Sequence, residues 1–224
     1  MAPVTEIVLH TLKPDADVES FYSAFSIIKE KSSARAIRAS TVHEHPEQVG
    51  IFMDWDSAEA HHAFRTREAA SYNAFLDAAR PHCAKLPPLL FHAQLAPFPP
   101  AVLDNAGGKG RTPVAQVLFM YFAPDADADG AETLARAQNF VAKLVGGEFA
   151  GLTGESSLGW SVERDVDYKG EKARVLVVIL GWESVQAHLE VRETDAWKDA
   201  VGEFRGAVEG FKGYEAFHVT TKDL

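Results

Sequence analysis

Histidines are the side chains here best suited to proton transfer near neutral pH, because imidazole alone has an unperturbed pKa in that range. Seven precede residue 96 (His10, His43, His45, His61, His62, His82, His92) and two follow residue 113 (His188, His218). His61 and His188 each stand six residues after a Trp and four before an Arg, Arg65 or Arg192. On a helix, that last spacing puts imidazole and guanidinium on one face. The positive neighbour favours the neutral ring, the form that accepts a proton. The competing role is packing between helix and sheet. His92 and His218 fall in short closing strands, where alternation turns them to the face opposite Phe91 and Phe217. His10 alternates with Val8 and Leu12 in the first strand, so it is half-buried and needs a partner. His61, His10 and His92, in that order, are the catalytic candidates, each as a general base.

The remaining chemistry-bearing residues are weaker bases or candidate substrate contacts. Asp54, Asp56 and Glu59 sit at a strand end and a helix N-terminus, where the helix dipole favours the charged carboxylate. Trp55 ends a central strand, as Trp182 does, and its indole edge can line a pocket mouth. Tyr72 belongs to a helical apolar pattern with Phe75, Leu76 and Ala79. Tyr121 lies on the strand position that Thr11 fills earlier in the chain. Trp55, Tyr72, Arg65, Tyr121, His188 and His218 are therefore the expected substrate contacts. His43, His45 and His82 lie by turns and helix ends and read as solvated. His61 and His62 are adjacent rather than four apart, and no HxxxH or HExxH helix occurs, so no metal site is expected. The reaction is expected to need no cofactor.

The elements that must position these residues are written twice. EIVLHTLKPDAD (from Glu6) matches QVLFMYFAPDAD (from Gln116) at an offset of 110 residues. WDSAEAHHAFR (from Trp55) matches WESVQAHLEVR (from Trp182) at an offset of 127, and LFHAQL (from Leu90) matches AFHVTT (from Ala216) at 126. The second copy thus carries an insertion, placed in the Gly-rich GEFAGLTGESSLGW and in DYKGEK and expected to form longer loops. In each copy a strand ends at Pro14 or Pro124. A helix follows, with Val18, Phe21, Phe25 and Ile28 on its apolar face in the first copy and an N-cap at Asp15 or Asp17. The second copy's helix stops at Gly146-Gly147. A hairpin comes next, turning at His45-Pro46-Glu47 or Tyr168-Lys169-Gly170. A second helix is then opened by Asp56 with Glu59 three residues on, and a short strand closes the unit. The order is βαββαβ twice, an α+β class of two ferredoxin-like units. They span residues 1–95 and 114–224, with a Pro- and Gly-bounded linker at 96–113 containing Gly107-Gly108.

Composition sets the outer limits. The chain has 224 residues, 46% hydrophobic and 24% charged, with a net charge of −10. That acidity disfavours nucleic acid and anionic membrane as partners. Its single cysteine, Cys83, excludes an internal disulfide and a Cys-rich zinc module. The longest apolar run, Val175 to Leu180, is too short to cross a bilayer, and the N-terminus carries no signal-peptide pattern. The expectation is a soluble, cytoplasmic protein with a hydrophobic small molecule as partner and room for a homodimer.

A strand ending in Trp, then Asp/Glu-Ser, then Ala-His on the first turn of a helix resembles the dimeric α/β-barrel superfamily. Within it, the chain is most similar to the antibiotic biosynthesis monooxygenase group. The resemblance implies two units packed sheet to sheet as an intramolecular dimeric α/β barrel, with a pocket between sheet and helices of a unit. It implies cofactor-free monooxygenation of an aromatic or polyketide-derived substrate. Polyketide cyclisation or isomerisation without O2 is the alternative, and a non-catalytic binding or stress-response module the third. His10 matches the early histidine of cyclases such as olivetolic acid cyclase, whereas Thr66 to Ala70 lacks the later one. Met120 replaces His10 in the second unit. The first unit is therefore expected to hold the well-formed pocket, with a filled or differently shaped counterpart in the second.

Overall fold

The computed structural model describes residues 2–104, 112–125, 130–147, 149–205 and 210–224. In the first half, β1 (Val4–Thr11) is followed by α1 (Val18–Ser23) and α2 (Phe25–Lys31). The hairpin of β2 (Ala36–Val42) and β3 (Gln48–Trp55) precedes α3 (Ala58–Arg67), α4 (Ala69–Ala79) and β4 (Leu89–Ala93). The second half repeats this with β5 (Val114–Phe122), α5 (Ala131–Gly146), β6 (Leu152–Trp160), β7 (Val166–Tyr168), β8 (Glu171–Trp182), α6 (Val185–Arg192), α7 (Asp195–Arg205) and β9 (Phe211–Asp223). These are two ferredoxin-like units on one chain.

All pairings are antiparallel, and the strands follow the order β4-β1-β3-β2-β9-β5-β8-β6, with β7 paired to β8. The halves join where β2 meets β9, with Thr41 opposite Thr220. The sheet then curls until its outer strands meet: Ala93 bridges Ser161 and Ala96 bridges Leu158. At this closing seam a Cβ on Gly159 would stand 1.8 Å from the Gln94 carbonyl oxygen, so only glycine lets the two backbones approach.

Alternation along the strands sorts side chains into three apolar cores. Ile7, Phe52, Phe91, Phe119 and Phe217 fill the barrel interior, where Phe119 meets Phe91 and Phe217 edge-on, each at 5.3 Å between ring centres. Their strand neighbours point outward to the helices: Val8, Met53 and Trp55 in the first half, Met120, Leu176 and Trp182 in the second. Arg38 ties the interior to the chain crossing between halves. Buried to 3% exposure, it pairs with Asp54 at 2.7 Å and Asp104 at 2.6 Å.

Several local expectations are corrected. The first helix breaks at Ala24 into α1 and α2. Asp17 caps it through the Ser20 amide, but Val18 is exposed, leaving Phe21, Phe25 and Ile28 as its buried face. The helix after Trp55 is capped by Ser57, which accepts from the Ala60 amide, while Asp56 turns away to pair with Arg35. Within the Gly-rich segment expected to be a loop, residues 152–160 form β6. Extra length in the DYKGEK segment goes into the β7–β8 hairpin, whose turn uses positive φ at Lys169 and Gly170. The described part of the expected linker is packed. Ala96 pairs with Leu158, and Val102 and Leu103 are buried, whereas Gly107 and Gly108 lie outside the described residues.

Candidate active site

In the first half, β1, β3, β4 and α3 converge on a buried polar cluster. The Trp55 indole N–H donates to Glu6 Oε2 at 2.9 Å, and His61 Nδ1 lies 3.4 Å from that oxygen. His61 Nδ1 shares a 2.8 Å hydrogen bond with His92 Nε2, and the His61 ring stacks on Trp55 at 5.0 Å. Behind His92 stands Glu163, from the turn after β6 in the other half. Its carboxylate accepts from His92 Nδ1 at 2.6 Å and from the His92 amide at 2.8 Å. The line thus runs Glu163, His92, His61. With His92 neutral, its Nδ1–H donates to the carboxylate, so His92 Nε2 accepts from His61 Nδ1–H and His61 Nε2 carries the free lone pair.

The line ends in a cavity of about 610 Å³ between sheet and helices. Phe25, Ile28, Met53, Phe64, Phe75 and Leu76 make its apolar wall, and His61, Arg65 and Glu6 its polar end. That is the size and character of a small-molecule site. Burial, then the charges of His92 and Arg65, hold His61 down at about 3. Burial also opposes charge on His92, but the Glu163 hydrogen bond and the Glu6 and Glu163 charges outweigh it, raising its pKa. Glu6 is pushed up to about 7 by burial, against the lowering influence of His92, Trp55 and Arg65.

The second half repeats the line with its own members. His188 Nδ1 and His218 Nε2 are 2.8 Å apart, and Glu44, from the β2–β3 turn of the first half, accepts from His218 Nδ1 and its amide. Each histidine pair is therefore held by a carboxylate from the opposite half. The Trp182 indole donates to Gln116 at 3.1 Å, so a neutral amide fills the place of Glu6. The cavity there, about 570 Å³, is close in size to the first, so the counterpart is not filled. The difference lies in the polar end. Met120 replaces His10, and Trp182 and Trp197 flank His188 with ring centres at 4.6 and 5.5 Å. His188 Nε2 is buried with no hydrogen-bond partner among the described residues.

The expected site residues fall into four places. His61, Arg65, Tyr72 and Trp55 line the first cavity, and His92 stands behind His61 without lining it. His10 lines the same cavity, with Cys83 Sγ at 3.6 Å from its Nδ1 and the Phe21 ring edge-on at 5.1 Å. Burial lowers its pKa to about 4, so it stays neutral. His188 and His218 line the second cavity. Tyr121 points into the barrel, stacked on Tyr168 at 4.1 Å and donating to Glu215 at 2.9 Å, so it is no part of the first cavity. Glu6, Glu163 and Glu44 were not singled out from sequence. Glu6 had a signal, since it opens the repeat segment whose second copy opens with Gln116. Glu6, His61 and His92 also form the cluster best placed to take a cation among the described residues, with ligand atoms within 4.8 Å of one another. As they stand, the two rings are hydrogen-bonded to each other, and the same contact recurs in the second half, where Gln116 replaces Glu6.

This is the dimeric α/β-barrel fold with both units on one chain, carrying a buried histidine pair beneath an apolar cavity in each. Solved structures share it. An anthrone oxidase-like protein superposes with a TM-score of 0.58 at 18% identity, over 100% of this chain and 94% of its own. A monooxygenase candidate from Lactobacillus acidophilus gives 0.57 at 11% identity, over 100% and 99%. A further candidate from Fusobacterium nucleatum gives 0.57 at 9% identity, over 98% and 92%. No protein-family profile and no curated protein sequence matches the chain. No helix among the described residues is long and apolar enough to cross a membrane.

Proposed function

We propose that the first-half cavity is the active site of an oxygenase-type enzyme for an apolar aromatic substrate bearing an acidic phenol or enol. The observation that carries this reading is the Glu163–His92–His61 line ending at the polar end of an apolar cavity. His61 Nε2 takes the substrate proton, and Arg65 stands at the same end of the cavity to steady the resulting anion. A proton cannot rest on His61, whose pKa is depressed to about 3. It is passed to His92, which its carboxylate neighbours favour in the charged form. The electron-rich anion then gives an electron to O2, and recombination and loss of water leave an oxidised ring carbonyl. The protein contributes deprotonation, orientation and a dry wall. The named activities of the fold's neighbours, an anthrone oxidase-like protein and monooxygenase candidates, support the same class.

The test is oxygen uptake by the purified full chain with a reduced polycyclic phenol such as an anthrone, with no added flavin and with a chelator present. Uptake with stoichiometric quinone formation is expected. Product formation without uptake would instead indicate ring closure or isomerisation by the same base. Uptake abolished by the chelator would move the chemistry to a metal held by Glu6, His61 and His92.

A further inference from the structure

Glu163 belongs to the second half, yet both of its oxygens bind His92 of the first. Its side chain is also 30% exposed and borders a separate cavity of about 900 Å³ at the barrel mouth. Leu9, Leu89, Tyr168 and Phe217 share that lining, which belongs to the barrel-interior side of the sheet. The substrate cavity lies on the helix side, and the two spaces adjoin only at Pro87, Pro88 and Leu90. One carboxylate therefore connects the buried histidine pair of one space to the water-accessible volume of the other.

From this geometry we infer that Glu163 is the exit of a proton wire, delivering the substrate's proton from the first-half cavity to water in the barrel mouth. The inference rests on His61 as the proton acceptor. Going out, the substrate O–H bond breaks and His61 Nε2 gains its proton. His61 Nδ1 passes its own proton to His92 Nε2, and His92 Nδ1 passes its proton to Glu163, which releases it to water. The reverse sequence reprotonates the product and restores both ring tautomers. No proton or electron is left over, and the substrate cavity never has to open to water for the base to reset. The first half's chemistry also becomes dependent on the second half, which gives the two units a reason to share a chain beyond their joint sheet.

The titratable and charged groups acting on the pair, besides Glu163, are Glu6 from β1 and Arg65 and His62 from α3. Glu163→Gln keeps the shape and one of the two acceptor oxygens but cannot carry a proton. In the full chain it is expected to lower the His92 titration midpoint followed by 15N NMR, and to move the acidic limb of the turnover profile to lower pH. Turnover is expected to fall about 10²-fold, the low end of what a positioned proton-transfer group contributes. The proton inventory in H2O/D2O mixtures should be curved in the wild type and linear in the variant, and Glu163→Asp should restore part of the rate. An unmoved His92 titration and acidic limb in Glu163→Gln, or a linear wild-type inventory, would overturn the wire. If the wild type oxidises none of the phenols tried, the oxygenase reading falls instead, and the NMR titration still decides whether Glu163 controls the pair.

Discussion

Replacing Glu6 by Gln copies into the first half the residue that Gln116 already supplies in the second, where the Trp182 indole donates to it just as Trp55 donates to Glu6. The substitution therefore keeps shape and hydrogen bond and removes only the ionisable group. Glu6 is 2% exposed, and burial raises its pKa from 4.5 to about 7. In the unfolded chain it ionises near the ordinary value, so between those two pH values the folded state binds the extra proton. Its contribution to stability is full below about pH 4.5 and lost as pH rises through about 7. The loss amounts to roughly 3 kcal/mol, at about 1.4 kcal/mol per tenfold change in acidity. At pH 8, Glu6→Gln is expected to be more stable than the wild type by up to that amount, roughly 6–12 °C in melting temperature for a chain of this size. At pH 4.5 the two should melt together. Urea unfolding of both proteins across this range reads Glu6 together with its charge coupling to His92, since the other titrating groups are common to both. If the difference does not grow with pH, or has the opposite sign at pH 8, Glu6 carries no buried-charge penalty and its assigned environment is wrong.

Two stability predictions concern the barrel itself. Asp54→Ala leaves the buried Arg38 with only the half-exposed Asp104 as counter-ion and also strips the Thr5 hydroxyl of its 2.7 Å acceptor. It should cost about 3–5 kcal/mol in urea unfolding, and a loss below 1 kcal/mol would show that Arg38 finds water instead. Gly159→Ala forces a methyl against the Gln94 backbone at the closing seam. It should lower stability by at least about 1–3 kcal/mol and expose the β4–β6 amides to hydrogen exchange; unchanged protection there would mean the seam is open in solution.

What the sequence made legible was periodic or repeated. The doubled βαββαβ order followed from the matched segments and from apolar alternation, and the face of each strand histidine followed from its offset to Phe91 or Phe217. His61 was visible as a repeated helix residue beside Arg65. Its partnership with His92 was not, because 31 residues separate them and only the closing of β4 against β1 brings them to 2.8 Å. Glu163 and Glu44 were invisible for a stronger reason. Neither belongs to a repeated segment, and each finds its histidine only when the curled sheet brings the opposite half alongside. The first part of β6, residues 152–157, was read as loop because its Gly and Ser residues suit loops. Pairing with the apolar β8 overrides that preference, as tertiary context commonly does in strands.

The central claim is that His61, held by His92 and Glu163, is the working base and that the first half houses the chemistry. It is tested most directly by comparing His61→Ala with His188→Ala in steady-state oxygen uptake, each shown by circular dichroism and melting to be folded. His61→Ala should lose about 10²- to 10⁴-fold in turnover, the usual contribution of a positioned general base. His188→Ala should keep most of the wild-type rate, since its free nitrogen is buried and unpartnered beside Trp197. Equal losses in the two variants, or a full rate in His61→Ala, would contradict the account.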